Sequence, residues 1–438
     1  MSNLHKPARG KKGVPACAAA EAAVKPRLHK SCYRVSMPLL VDNIGALATC
    51  DGAGIGLRKD AALLIQEGRI TDIGARGMLP APASCPVLDA RGAAVVPGLV
   101  DCHTHVVFCG DRSDEFARRA RGESYQQIAV AGGGIRATMR AVREATVDEL
   151  VAATLPRLRA QLARGVTTVE VKSGYGLSVE SELKMLDAIA MLQQRQPLTL
   201  VPTLLAAHAV PPEHEGAPSA WIDEILRELL PRVAREGLAK SVDVFVEAGA
   251  FSVDDGRRLL RRAQELGLFA RVHAEQLSRS GGAALAAEVG AVAAGHLEYV
   301  TQADADALAE AGVVCEVLSL AQVFLRGQRP IPGAMLAKAG CTIAVASDAN
   351  PGTAMSVDLP LAAGLSVTQS GLTAEQALLG ITAGAARALG LADRGRIVPG
   401  ARADLVVLQT SSPFDLVYRW SEPLAQTVII GGDIAFST

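Results

Sequence analysis

Two histidines one residue apart, His103 and His105, close the stretch VVPGLVDCHTH, and Arg112 follows beyond VVFCGD. The apolar run before the first histidine fits a buried parallel strand. Side chains alternate along a strand, so the two imidazoles project the same way and can share one divalent metal. His208, His273 and His296 also end apolar runs, and Asp348 ends the run VASD. The remaining three of the eight histidines, His5, His29 and His214, fall outside this pattern. Histidines satisfied by backbone groups would have no reason to collect at so many strand ends. Imidazole and carboxylate ligands suit zinc or iron. Three or four of them with one open position make a hydrolytic centre, where the metal lowers the pKa of water from 15.7 to about 7.

Such a centre needs several strands that end side by side. Candidate strands end at His105, Lys172, His208, Glu247, His273, His296, Leu318 and Asp348. Amphipathic helical stretches intervene, among them VDELVAATLPRLRAQLARG, VESELKMLDAIAMLQQRQ, VDDGRRLLRRAQELG and ADADALAEAG. Eight strand–helix units predict an α/β fold, a (β/α)8 TIM barrel with its chemistry at the strand C-termini. Short strands and turns from Leu39 to Leu88 include an E-G-R hairpin signal, and GRIVPGARADLVVL and AQTVIIGGD near the C-terminus have the same texture. The two flanks therefore predict one small β-sandwich domain split by the barrel. The expected boundaries are 1–36 for a basic arm, 37–94 and 395–438 for the small domain, and 95–394 for the barrel. The arm holds eight Lys or Arg against one Glu and lacks apolar periodicity, so disorder and no catalytic role are expected of it.

The chain has 438 residues, 49% hydrophobic and 20% charged, enough for a large core. A net charge of −1 gives no reason to expect nucleic acid or an anionic membrane as partner. No apolar run reaches the roughly 18 residues of a membrane span. The eight cysteines form no C-x-x-C pair, so reduced thiols in a cytoplasm are expected. Gly132, Gly133 and Gly134 look like a phosphate loop, but no G-K-[ST] follows; a tight loop near the pocket is expected instead.

The order of HxH, two later strand-end histidines and a final aspartate resembles the amidohydrolase superfamily. GDRSDEF, GGGI, KSGYGL, HAEQL and SDANPGT, in that order, narrow the resemblance to the imidazolonepropionases, from about Leu39 to the C-terminus. The resemblance implies metal ligands His103, His105, His273 and Asp348, with zinc or iron bound. It implies His296, Asp348 and Gln276 as catalytic groups. Arg112 and Tyr175 would hold a propionate, His208 and Gln276 would contact the ring, and Asn350, Gly352 and Thr353 would line the pocket. The implied reaction opens the cyclic amide of 4-imidazolone-5-propanoate to N-formimidoyl-L-glutamate in histidine degradation, in a cytoplasmic homodimer. Arg112 has a structural alternative, pairing with Asp114 or Glu115, and Tyr175 could be a packed loop aromatic. Gly295 stands where the family usually has Asp before the strand-6 histidine, which would loosen His296. Val317-Leu318-Ser319-Leu320 replaces a segment like LLPG, which leaves that pocket wall open. The rival readings are another metal-dependent amidohydrolase, a cyclic amidase or deaminase, and a non-catalytic ligand-binding paralogue. A deaminase of a neutral base would have no carboxylate for Arg112 and Tyr175.

Overall fold

The computed structural model describes residues 37–438 except 53, 83, 124–126, 129–130 and 328. The basic arm, 1–36, lies outside the described residues. Eight parallel strands form the barrel: β6 (Leu99–Asp101), β7 (Val166–Lys172), β8 (Thr199–Ala207), β9 (Ser241–Val246), β10 (Phe269–Ala274), β11 (Ala293–His296), β12 (Val314–Val317) and β13 (Ile343–Val345). Each pairs with the next in order. β7 is buried along its whole length, as a strand flanked by both core and helices must be. The four helical stretches read from the sequence form Val147–Leu162, Val179–Arg195, Val253–Glu265 and Gln302–Glu310. Thr146, Ser252 and Thr301 start three of them with reciprocal capping boxes, which satisfy amides the helix itself leaves open.

The seam between the first and last barrel strands is joined just beyond them. His105 N donates to Ala349 O at 3.0 Å and Asp348 N to His103 O at 3.0 Å. The buried Asp101 carboxylate accepts from Ser347 N (3.0 Å), Ser347 Oγ (2.6 Å) and Gln161 Nε2 (2.9 Å). Burial pushes the Asp101 carboxyl up to about 7, against the hydrogen bonds that favour its charge.

The flanks form a second sheet. β1 (Leu39–Ala48), β2 (Leu57–Gln66), β3 (Arg69–Ala75), β4 (Val87–Asp89) and β5 (Ala94–Pro97) join β14 (Leu405–Leu408), β15 (Ala425–Ile430) and β16 (Asp433–Ser437). The order is β16-β15-β14-β5-β1-β2-β3, with β4 on β1. Glu67 and Gly68 turn the β2–β3 hairpin with φ of 50° and 73°, the two left-handed residues of a type I′ turn. Alternation divides the sheet's apolar side chains between two cores. Val95, Leu405, Val407 and Ile429 bury in the sheet's own cluster, whereas Val96, Val406, Leu408 and Val428 join the barrel core. Chain membership changes at Gly98, between β5 and β6, where a Cβ would lie 2.4 Å from Thr167 Oγ1. The strand Ala94–Pro97 thus belongs to the flank sheet. No helix among the described residues is long and apolar enough to cross a membrane.

Candidate metal centre and its cavity

His103 and His105 follow within four residues of the end of β6, His273 lies near the end of β10, His296 ends β11, and Asp348 sits three residues past β13. All five are at most 2% exposed. The two histidines after β6 and Asp348 therefore overrun the strands that the sequence led us to extend to them. Two overlapping groups, His103–His273–His296 and His103–His105–Asp348, each bring their ligand atoms within 4.8 Å of one another. His103 Nε2 lies 3.0 Å from His273 Nε2, and His273 Nε2 lies 3.5 Å from His105 Nε2. Asp348 Oδ1 lies 3.4 Å from His105 Nε2 and 3.8 Å from His103 Nε2. A tetrahedral ion bonded at 2.0–2.1 Å needs its ligand atoms about 3.3–3.4 Å apart.

Tautomers strengthen the fit. His103 Nδ1 is 2.8 Å from Glu316 Oε2, and His273 Nδ1 is 3.1 Å from Asp243 Oδ1. A carboxylate accepts, so both rings carry the proton on Nδ1 and turn Nε2 lone pairs toward each other. Asp348 Oδ1, facing the same space, is buried with no hydrogen-bond partner. Converging acceptors with no proton between them are what a cation satisfies, and carboxylate-backed imidazoles are the usual support of such ligands. Burial, assisted by the Lys172 cation and the neighbouring imidazoles, holds His103 and His105 well below the ordinary histidine range. His273 is lowered to about 4, mainly by burial. These rings stay neutral, as metal ligands must.

His296 differs. Burial acts to lower it, but the carboxylates of Glu298, Asp348 and Asp243 hold it above its ordinary value. Asp348 is pushed up by burial, with the histidines opposing. Both residues sit at positive φ, 76° for His296 and 51° for Asp348, conformations that non-glycine residues rarely adopt and that gather at functional sites.

A cavity of about 1090 Å³ opens above the cluster, lined by His105, His273, His296 and Asp348 together with Arg112, Tyr175, His208, Gln276, Asn350, Gly352 and Thr353. Every site residue expected from the sequence except the deeply placed His103 thus faces one cavity. His208 stacks on His105 with ring centroids 5.0 Å apart. Its Nδ1 donates to Gly174 O at 3.0 Å, which leaves Nε2 as an acceptor; burial lowers it to about 3, so it stays neutral. Arg112 pairs with Glu115 through Nε (3.0 Å) and Nη2 (2.8 Å). Glu115 Oε1 in turn accepts from Gly134 N at 2.9 Å, so the glycine loop is tied to the arginine. The guanidinium lies on Gly352, where a Cβ would be 2.3 Å from Nη1. Asn350 organises its own turn, accepting from Gly352 N (2.9 Å) and Thr353 N (2.7 Å) and donating to Asp348 O (2.6 Å).

The profile described as the Amidohydrolase family matches residues 94–435. An imidazolonepropionase of Myxococcus xanthus is 45% identical over 409 residues, 91% of this chain and 97% of that protein. The chain belongs to the imidazolonepropionase family of amidohydrolases. An imidazolonepropionase of Erwinia tasmaniensis is 50% identical over 346 residues, 79% of this chain and 85% of that protein. Among solved structures, the A. niger ochratoxinase has a TM-score of 0.68 at 19% identity, covering 92% of this chain and 96% of that one. An adenosine deaminase from Xanthomonas campestris with bound zinc has a TM-score of 0.67 at 20% identity, covering 92% and 93%. Those two likenesses carry the fold alone.

Two departures from the imidazolonepropionase pattern find their place here. Gly295 packs against His103 and Glu316: a Cβ would lie 2.9 Å from His103 Cε1 and 3.1 Å from Glu316 Oε2. The Val317–Leu320 segment ends β12 and opens a short helix, Ser319–Phe324, which brings Gln322 to the cavity wall. Sequence reasoning missed Asp243 and Glu316 behind the histidines. The sequence offers Glu115 as a partner of Arg112, and the two do pair; Glu247, read there as a strand end, accepts from Leu277 N (2.9 Å) and Ser278 N (3.1 Å) and holds the loop of Gln276.

Proposed function

We propose that this chain hydrolyses the ring amide of 4-imidazolone-5-propanoate to N-formimidoyl-L-glutamate. His103, His105, His273 and Asp348 would hold one zinc or iron ion. When bound, that ion supplies Lewis acidity at the ring carbonyl and makes hydroxide available from water near neutral pH. Asp348 takes the proton of the attacking water; its burial-raised carboxyl makes it a better base than a solvated aspartate. His296, held above its ordinary value, donates a hydrogen bond to the carbonyl oxygen as negative charge develops there. Asp348 then returns the proton to the departing ring nitrogen. His208 Nε2, an acceptor, receives a ring N–H, and Gln276 meets the carbonyl side of the ring. Tyr175 and the unengaged edge of Arg112 take the propionate. Asn350, Gly352 and Thr353 form the wall against which that arginine rests.

The observation that carries this reading is Arg112 on the wall of the cavity that also contains the histidine cluster. A guanidinium edge and a hydrolytic centre in one cavity match a small cyclic amide bearing a carboxylate. The test is turnover of 4-imidazolone-5-propanoate by the purified protein, before and after chelator treatment and after zinc or iron is restored. Full activity in metal-free protein, or none with metal restored, defeats the proposal. A cytoplasmic homodimer without nucleic-acid partners completes it, supported by the family resemblance and the near-zero net charge; light scattering of the purified protein checks the dimer.

A further inference from the structure

Beneath the histidines the barrel floor carries five ionisable groups that the proposed hydrolysis does not use. Glu170 and Lys172 come from β7, Asp243 from β9, Arg271 from β10 and Glu316 from β12; each is at most 1% exposed. They form a chain of alternating sign. Glu316 Oε1 pairs with Arg271 Nη2, and Arg271 Nε lies 3.9 Å from Glu170 Oε1. Lys172 Nζ donates to Glu170 Oε1 and to Asp243 Oδ2, both at 2.8 Å. Each end of the chain is a carboxylate on the Nδ1 of an imidazole of the cluster, Glu316 on His103 at 2.8 Å and Asp243 on His273 at 3.1 Å. The backbone anchors the middle, through Arg271 to Cys102 O (2.8 Å) and Ala388 O (2.7 Å) and through Glu170 Oε2 to Thr104 N (3.0 Å).

Stability does not explain such a chain. Buried ion pairs are often replaceable by apolar side chains at no loss, because desolvation offsets the attraction. Its termini do explain it: three carboxylates against two cations leave one negative charge, and both free ends fix imidazoles. Gly295 supplies independent support. Its missing side chain is what allows His103 and Glu316 to meet, since a Cβ would lie 3.0 Å from His103 Nδ1 and 3.1 Å from Glu316 Oε2.

We propose that Glu316 and Asp243 are positioning residues for His103 and His273, and that Arg271, Glu170 and Lys172 couple them, so that both imidazoles are set for the metal as one unit. The proposal rests on the reading of the cluster as a metal centre. It is tested by competition between the full-length protein and a chromophoric chelator for zinc. Glu316→Gln and Asp243→Asn should each weaken zinc binding roughly 10- to 100-fold. The double variant should weaken it by far less than the product of the two. Zinc affinity unchanged in the single variants, or losses that multiply fully, overturns the coupled arrangement. The native protein provides a readout that needs no variant. In zinc-loaded protein labelled with 15N-histidine, His103 and His273 should show Nδ1–H protons and zinc on Nε2; zinc on Nδ1 of either ring overturns the proposal. Zinc bound in the expected way without hydrolysis of 4-imidazolone-5-propanoate would remove the functional reading and leave the positioning chain standing.

Discussion

Replacing Arg112 with alanine should separate carboxylate recognition from hydrolysis. The guanidinium has five N–H donors. Glu115 occupies the Nε–Nη2 edge, which leaves the Nη1–Nη2 edge for a second carboxylate. Charge-assisted hydrogen bonds contribute about 1.5–3 kcal/mol, so their loss should lower kcat/KM for the propionate substrate roughly 10- to 200-fold at 1.4 kcal/mol per decade. The structure adds a second effect. Without Arg112 the Glu115 carboxylate, whose side chain is 12% exposed, faces the incoming propionate. Two like charges at close range repel by up to about 4 kcal/mol at an effective dielectric of 20. Arg112→Ala/Glu115→Gln should therefore be more active than Arg112→Ala alone, and Arg112→Lys should recover only part of the loss because a lysine has no fork. The assay compares kcat/KM for 4-imidazolone-5-propanoate with that for an analogue carrying a methyl group in place of the propionate. Equal slowing of both substrates in Arg112→Ala would show that Arg112 only braces the glycine loop, and the assignment to a carboxylate-bearing ring would fall.

His103→Ala or His273→Ala should abolish both zinc retention, measured by elemental analysis, and turnover; full activity in either would refute the ligand set. Asp348→Asn should lose about 10²–10⁴-fold in kcat if Asp348 moves the proton, and a smaller loss in single-turnover kinetics would assign that role elsewhere. Gly352→Ala, whose φ is not left-handed, introduces no backbone strain but drives a methyl group into the Arg112 guanidinium; KM for the propionate substrate should rise while the methyl analogue is spared. Asp101 provides a pH test. Its folded value of about 7 lies above the ordinary carboxyl value of 3.8, so the folded state binds the proton more tightly, and the stability this contributes is full below about pH 4 and lost as pH rises through 7. Thermal melting of metal-free protein from pH 5 to 8 should therefore decline more steeply than that of Asp101→Asn, and parallel profiles would count against a buried protonated carboxyl. Deleting residues 1–36 should leave kcat/KM unchanged, and a loss with folding intact would show that the arm reaches the cavity.

The cavity-facing residues were legible because each belongs to a strand end or the loop behind it, and eight strand–helix units leave one face on which those ends can meet. Strand lengths were less legible. β6 ends at Asp101 and β13 at Val345, because the seam is made by single bonds between the segments beyond them rather than by a ladder, and apolar runs do not record that. The floor ions left a signal that periodicity alone does not decode: Glu170 and Lys172 in TVEVK, Asp243 in SVDVF, Arg271 in ARVHA and Glu316 in VCEVL are charges inside otherwise apolar strands. A charge in a strand buried on both faces needs a partner. Which partner it meets depends on barrel closure, since Glu316 and His103 are 213 positions apart. Asn350 was legible as a cavity residue, but the turn that consumes its hydrogen-bonding groups depends on backbone angles that the tripeptide does not fix.

The pairing of β5 with β14 has a consequence for how the chain must be made. β5 lies between β1, which precedes it closely, and β14, which is synthesised roughly 300 residues later; at 5–20 residues per second that is about 15–60 s. Throughout that interval one edge of β5, reading AVVP and buried in the finished protein, has no partner. An apolar strand with an open edge is a template for pairing with other chains. The ribosome-bound intermediate should therefore bind holdase chaperones even after its eight barrel strands have emerged. Chains truncated before Leu405 should accumulate as aggregates rather than as soluble free-standing barrels.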